Sequence, residues 1–178
     1  MDNGTFDILG RNITFRVADQ IGMGCSGTVY SIECINSACN ELGHVVLKVY
    51  PFHHRGDAVS GRENLAKIGE LKAVGSNDVD EYEYTLMTRW DGVTLTKLPT
   101  YQRLLMRYPT TNYNALVEFV NSAFLMAAKE AEAHIINNHI THEDIHLGNI
   151  LLQESDGKII SARLIDWDLA RISPADKV

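Results

Sequence analysis

Apolar and polar residues alternate along much of the first half of the chain, and this period of two is typical of β-strands. Four segments either alternate in this way or form a short β-branched apolar run: residues 13–17, 28–32, 44–50 and 82–88. Residues 57–73 instead repeat their apolar positions at helical spacing, and a Gly-Ser-Asn-Asp stretch at 75–78 breaks that pattern. The first half is therefore predicted to be rich in strands and to contain one helix.

The second half begins with a long helical period. Residues 114–138 place apolar side chains every three or four positions along one face, which predicts a helix. Two short apolar segments follow, 150–152 and 159–165, and a Ser-Asp-Gly turn at 155–157 separates them, so they are predicted to form a β-hairpin. A strand-rich half followed by a helical half indicates the α+β class.

Length and composition fit a compact domain that divides into two lobes, residues 1–91 and 92–178. A net charge of −7 without a dense run of lysine and arginine argues against nucleic-acid binding, which relies on phosphate contacts. No apolar run approaches the roughly 18 residues that span a bilayer, and no signal peptide is visible. We therefore expect a cytoplasmic monomer. Three cysteines without Cys-x-x-Cys spacing are expected to stay reduced there: Cys25, Cys34 and Cys39.

One short segment matches two different signatures. Residues 142–146 read His-Glu-x-x-His, as in zinc proteases, and residues 142–149 read His-x-Asp-x-x-x-x-Asn, as in a kinase catalytic loop. The zinc site needs a helix, because only then do both imidazoles lie on one face. Here glycine and asparagine follow at once, then an extended apolar run, and Asp166, the candidate third ligand, ends a predicted strand. The catalytic-loop interpretation is therefore favoured.

A glycine-rich turn upstream supports that interpretation. It has the pattern Gly-x-Gly-x-x-Gly-x-Val, and its residues are Ile21, Gly22, Gly24, Gly27 and Val29. Glycine suits such a turn because a Cβ would keep backbone amides away from phosphate oxygens. A dinucleotide site would need a helix directly after the turn, whereas residues 28–32 are predicted as a strand.

Lys48 follows in the next apolar strand, where it either reaches the surface along a sheet edge or binds the α- and β-phosphates of a nucleotide. The second role requires a carboxylate that holds the ammonium group. Glu63 on the following predicted helix is the first candidate and Glu70, two turns later, is the second. A simple solvated position on the helix is the alternative for either glutamate.

In this order the motifs resemble the protein-kinase-like superfamily over nearly the whole chain. The resemblance implies a bilobal α+β fold, with a β-rich N-lobe that contains one helix and a truncated, mainly helical C-lobe. It also implies ATP and Mg²⁺ as cofactors. Met87 would be the gatekeeper residue, and the backbone of Thr88 and Trp90 would hydrogen-bond the adenine.

The same resemblance assigns the chemistry. Asp144 would accept the proton of the acceptor hydroxyl, while Asn149 and Asp166 would hold magnesium. Lys48 would meet the phosphates in a cleft separating the two lobes. His142 would support the catalytic loop through a hydrogen bond.

Several departures refine the resemblance. Glu143 replaces the arginine of regulated protein kinases, His146 stands where many have lysine, and Trp-Asp at 167–168 replaces Phe-Gly. The catalytic loop is similar to that of aminoglycoside and choline phosphotransferases. Few residues follow Asp166, however, and this resembles the minimal kinases that pathogenic bacteria inject by type III secretion.

That likeness implies a Ser/Thr protein kinase acting on a host protein, with a chaperone or a ubiquitin-pathway protein as its partner in the host cytosol. Two alternatives stay open. The chain is otherwise a small-molecule phosphotransferase, or a pseudokinase that binds nucleotide without turnover.

Overall fold

The computed structural model describes residues 4–8, 11–77, 81–107 and 113–173. The chain divides between Arg89 and Trp90 into two compact units, called here the first and the second unit. A β-rich first part precedes a helical second part, so the predicted α+β class is confirmed. No helix in these ranges is both long and apolar enough to cross a membrane.

The first unit is built on an antiparallel sheet, which has six strands in the described residues. They are β1 (Gly4–Ile8), β2 (Arg11–Met23), β3 (Thr28–Cys34), β4 (Val45–Pro51), β5 (Leu71–Asn77) and β6 (Tyr82–Thr88). Across the sheet the order is β1-β2-β3-β4-β6-β5, which makes β4 an inner strand. Apolar residues, many of them β-branched or aromatic as strands favour, form its core: Ile13, Phe15, Cys39, Leu47, Val49, Ala73, Tyr84 and Leu86.

Two helices are described in this unit: α1 (Ser37–Asn40) and α2 (Arg55–Lys67). The prediction of a helix over 57–73 was therefore wrong at its C-terminal end. Gly69 has a φ of +77°, a left-handed conformation that commonly ends helices, and β5 starts at Leu71. The Gly-Ser-Asn of the predicted break lies inside β5, and Asp78 lies outside the described residues.

The prediction of three reduced thiols was also wrong. Cys34, at the end of β3, forms a disulfide with Cys39 in α1. The Asn36 side chain accepts a hydrogen bond from the Cys39 amide (3.0 Å) and turns the chain back, so that the two Cα atoms lie 5.3 Å apart, a separation that a disulfide spans. Only Cys25, which is exposed, is a free cysteine within the described ranges. Free thiols therefore no longer support a cytoplasmic location.

The second unit contains two helices and two small sheets in its described residues. Its elements are α3 (Pro99–Met106), α4 (Tyr113–Asn138), β7 (Ile140–Thr141), β8 (Ile150–Ser155), β9 (Lys158–Leu164) and β10 (Arg171–Ile172). α4 is the predicted long helix and contacts β9, and β8 and β9 form the predicted hairpin. β7 pairs with β10. α3 was not predicted, although Pro99 at its first turn is a known start signal.

Candidate active site

The glycine-rich turn is the tip of a β-hairpin. β2 and β3 are paired as far as the turn, where Gly22 lies opposite Val29. Within the turn, the Gly24 amide donates to the Gly27 carbonyl (2.9 Å). A Cβ on Gly27 would lie 2.5 Å from the Val49 carbonyl oxygen, so this position accepts only glycine. The predicted strand after the turn is confirmed, and the helix that a dinucleotide site requires there is absent from residues 28–34. Ile21 is exposed on β2.

Lys48 lies on the inner strand β4, opposite Val29 of β3 and Thr85 of β6. It is only 4% exposed, and its Nζ lies 5.0 Å from the centroid of the Tyr50 ring. The alternative of a lysine that reaches the surface from a sheet edge was therefore wrong. Burying an ammonium group is costly unless other groups stabilise it, so this burial points to a specific role.

The two glutamates predicted to hold Lys48 differ in their placement. Glu63 is on the exposed face of α2, because Ala58, Gly61 and Leu65 form the buried face of that helix. Glu70 is buried, in the turn that follows α2 and not on the helix as predicted. The placement of Glu63 does not fit its predicted role, and burial favours Glu70.

Arg62, which precedes Glu63, faces the sheet instead. Its guanidinium donates to the Glu83 carboxylate (2.8 Å) and to the Thr85 hydroxyl (3.1 Å) on β6. Thr85 is the residue opposite Lys48, so Arg62 reaches the same face of the sheet as Lys48. Sequence reasoning missed this contact, since a shift of one residue along a helix turns the side chain by about 100°.

The residues predicted to meet adenine occupy the end of β6 and the segment after it. Met87 and Thr88 lie in β6, and the Thr88 amide donates to the Glu70 carbonyl (3.0 Å), so this amide is already engaged. In the second unit the Arg163 guanidinium stacks over the Trp90 ring, with Cζ 3.8 Å from its centroid. The Trp90 indole nitrogen is buried without a hydrogen-bond partner in the described part of the chain.

Residues 142–146 do not form a helix. His142 is buried, and its Nε2 lies 2.8 Å from the Ile165 carbonyl oxygen, which can only accept, so Nε2 donates. His146 is exposed and its Nδ1 accepts a hydrogen bond from the Gly148 amide (3.0 Å). The two imidazoles thus have separate partners. No group of three or more His, Cys, Asp or Glu side chains that could hold a metal occurs among the described residues. The geometry contradicts the zinc-protease alternative.

Asp144 and Asn149 form the centre of the loop. The buried Asn149 amide donates to the Asp144 carboxylate oxygen Oδ2 (2.9 Å) and to the Asp144 carbonyl (3.0 Å). The Asp144 side chain is 40% exposed. The amide nitrogen of Asn149 is only a donor, so its amide oxygen is the group that can bind a cation.

Asp166 follows β9 on a segment that is fixed on both sides. The Ile165 amide donates to the Asn149 carbonyl (3.0 Å), and the Ile165 carbonyl accepts from His142. Asp166 has a φ of +65°, a left-handed conformation that is uncommon outside glycine and often marks functional positions. Hydrogen bonds thus join the segment of Asp166 to the loop of Asp144 and Asn149.

Trp167, directly after Asp166, anchors this segment. Its ring is buried with edge contacts to His142 (centroids 4.5 Å apart) and His134 (4.7 Å). Its indole N–H donates to the Leu164 carbonyl (3.1 Å), so the polar end of the side chain is satisfied. The tryptophan therefore acts as a packing residue that holds the histidine of the loop.

Glu130 of α4 connects that helix to β9. Burial raises the pKa of its carboxyl, but hydrogen bonds and charges from His134 and Arg163 outweigh burial, so the pKa lies below its ordinary 4.5. Glu130 also lines an open cavity of about 320 Å³, together with Met126, Lys129, Ile160, Ser161, Ala162 and Arg163. None of the predicted site residues lines that cavity.

No protein-family model matches the chain, and no curated protein matches it either.

Proposed function

We propose that the protein is an ATP-dependent phosphotransferase that transfers the γ-phosphoryl group to a Ser or Thr hydroxyl of another protein. The hydrogen bond from Asn149 to Asp144, in a loop joined to the segment of Asp166, is the observation that carries the proposal. Asn149 bonds Asp144 directly, and hydrogen bonds to the backbone of Ile165 attach the neighbouring Asp166 to the same loop.

Asp144 accepts the proton of the acceptor hydroxyl. Its carboxylate is partly exposed, so an acceptor can reach it, and its bond to Asn149 holds it in one orientation. The amide oxygen of Asn149 and the carboxylate of Asp166 are hard oxygen donors, the kind that Mg²⁺ prefers, and nucleotide-bound magnesium needs only one or two protein ligands. Magnesium, when bound with ATP, neutralises charge on the transferring phosphate.

The first unit contributes the nucleotide contacts. The tip of the β2–β3 hairpin offers backbone amides to phosphate oxygens, and Gly27 lets its backbone approach β4 closely. Lys48, buried on the adjacent strand, supplies the positive charge for the α- and β-phosphates. The Thr88 carbonyl is the backbone group assigned to the base.

Exposed apolar side chains favour a protein acceptor over a small molecule. Ile145 and Leu147 follow Asp144 in the loop, and Leu169 follows Asp166; all three are at least 38% exposed. Exposed apolar groups next to a polar centre are typical of surfaces that bind polypeptides. A host protein, such as a chaperone or a ubiquitin-pathway protein, is the acceptor that the likeness to injected kinases suggests.

The experiment is labelling of a eukaryotic lysate with ATP radiolabelled at the γ-phosphate, using purified wild-type protein and the variants Asp166→Ala and Lys48→Ala. Each variant is expected to reduce labelling by about 10³-fold or more while its circular dichroism stays native. Asp19→Ala and Lys97→Ala, at exposed positions outside the site, are matched controls expected to label normally.

Mass spectrometry of the labelled material identifies the product. Phosphoserine or phosphothreonine in a protein supports the proposal. A phosphorylated amino alcohol or sugar would instead indicate a small-molecule phosphotransferase. Binding of ATP without any phosphorylated product would indicate a pseudokinase. Undiminished labelling by Asp166→Ala would refute the assignment of that residue.

A further inference from the structure

His146 lies two residues after Asp144 and is the loop residue that the proposed chemistry leaves without a role. Its Nδ1 accepts a hydrogen bond from the Gly148 amide (3.0 Å). A ring nitrogen that accepts a hydrogen bond carries no proton, so the neutral imidazole must carry its proton on Nε2. The Gly148 amide therefore fixes which nitrogen of His146 can donate.

That nitrogen faces the proposed base. Nε2 of His146 lies 3.6 Å from Oδ2 of Asp144, and the Asn149 amide donates to the same oxygen at 2.9 Å. A separation of 3.6 Å is longer than a hydrogen bond, and catalytic hydrogen bonds are commonly long until the substrates bind. Both contacts fall on Oδ2, so Oδ1 is the oxygen that can face an acceptor hydroxyl.

We propose that His146 is a positioning residue, whose Nε2–H, together with the Asn149 amide, fixes the Asp144 carboxylate so that Oδ1 receives the acceptor proton. This inference rests on the proposed function and assigns a further residue to the same site. The Nε2–H group of a neutral imidazole can bind one oxygen of the carboxylate. This selects one orientation of the base before the substrate arrives.

Gly148 provides a way to move the imidazole without removing it. A Cβ built on Gly148 would lie 2.8 Å from Cε1 and 3.1 Å from Nδ1 of His146, closer than such atoms normally approach. Gly148→Ala must therefore displace the ring of His146. In a protein that already carries His146→Ala, the same methyl group meets no imidazole and should have no further effect.

The experiment is a double-mutant cycle on phosphoryl transfer to a labelled acceptor. His146→Ala and Gly148→Ala are each expected to lower kcat about 10- to 100-fold, with the KM for ATP within about twofold of wild type. The double variant should be no slower than His146→Ala alone. His146→Gln retains an N–H donor and should recover part of kcat, and His53→Ala, at an exposed histidine of the first unit, is the matched control.

A second readout does not depend on turnover. The imidazole ¹⁵N chemical shifts of His146 report which nitrogen carries the proton. They are measured at about pH 9, where a free imidazole is neutral, and assigned by comparison with His146→Gln. A single Nε2-protonated tautomer in wild type, replaced in Gly148→Ala by the mixture of tautomers of a free imidazole, supports the inference. Protonated Nδ1, an unchanged kcat in His146→Ala, or additive effects in the double variant would overturn it. If the wild-type protein transfers no phosphate, the proposed function fails and the ¹⁵N shifts alone decide the geometry.

Discussion

At the scale of single residues, the loop depends on a buried histidine that has a hydrogen-bond partner at one of its two ring nitrogens. Nε2 of His142 donates to the Ile165 carbonyl, its ring contacts Trp167, and its Nδ1 is buried without a partner in the described part of the chain. His142 therefore serves as a structural hydrogen-bond donor that fixes the Ile165 carbonyl.

His142→Phe is expected to destabilise the protein by about 1–3 kcal/mol, because the aromatic packing is kept while the Ile165 carbonyl loses its donor. Urea denaturation followed by tryptophan fluorescence measures the change. His53→Phe, at an exposed histidine of the first unit, is the control. A loss in His142→Phe no larger than in His53→Phe would contradict the role assigned to His142.

At the scale of elements, two ion pairs attach α2 to β6, because the Glu83 carboxylate meets both Arg62 (2.8 Å) and Arg55 (3.2 Å). Arg62 of α2 bonds Glu83 and Thr85 of β6 and also the carbonyls of Gly75 (3.3 Å) and Tyr84 (3.1 Å). Glu83 is buried, so removal of Arg62 leaves its carboxylate in a poorly solvated place, paired with the more exposed Arg55. The pair of Arg62 with Glu83 therefore matters more than ion pairs at the surface.

Arg62→Met is expected to cost about 1–3 kcal/mol of unfolding free energy, measured by urea denaturation, because buried hydrogen-bond acceptors lose their donor while Arg55 still pairs with Glu83. The matched control is Arg16→Met, which breaks the exposed pair of Arg16 with Glu33 (3.3 Å) and should cost less than about 1 kcal/mol. Equal losses of unfolding free energy in the two variants would mean that Arg62 does not stabilise the attachment of α2 to the sheet.

A second prediction at this scale concerns Glu130, which links α4 to β9. Since the pKa of Glu130 is lower in the folded protein than its ordinary 4.5, its stabilising effect is complete above that value and disappears as the pH falls through the folded-state pKa. Glu130→Gln should therefore lower Tm at pH 7 and make Tm less dependent on pH in the acid range. Parallel Tm profiles for wild type and variant from about pH 7 to pH 3 would contradict the prediction.

The elements that could be predicted from sequence are those with a local, regular pattern. α4, β4 and the β8–β9 hairpin follow from periodicity and turn residues. β7 and β10 could not be predicted, because each has two residues and exists only through pairing with a distant segment. The end of α2 was missed because the apolar residues after Gly69 also fit a helical period.

For the candidate site, the sequence predicted which residues belong to it better than it predicted which residues contact one another. Asp144, Asn149 and the segment of Asp166 follow from a spaced motif, and hydrogen bonds join them. The ranking of Glu63 before Glu70 depended on which face of α2 is buried and on where that helix ends, and periodicity fixes both only to within a few residues. The disulfide was missed because its spacing is not the Cys-x-x-Cys pattern.

At the scale of the whole molecule, the proposed nucleotide binding and the proposed proton and metal chemistry are assigned to different compact units. The first holds the glycine hairpin and buried Lys48, and the second holds Asp144, Asn149 and Asp166. Binding and chemistry are therefore expected to be separable by mutation, because a residue of the second unit that acts only on the acceptor proton should not change nucleotide affinity.

The most direct test of the central claim compares Asp144→Asn with wild type in two assays on the same preparations, Mg·ATP affinity by calorimetry and transfer of γ-labelled phosphate to protein. We predict a Kd within about twofold of wild type and a rate of transfer reduced by about 10²–10⁴-fold, the range that a general base contributes. Transfer at the wild-type rate by Asp144→Asn, or no transfer by the wild-type protein itself, would contradict the proposed chemistry.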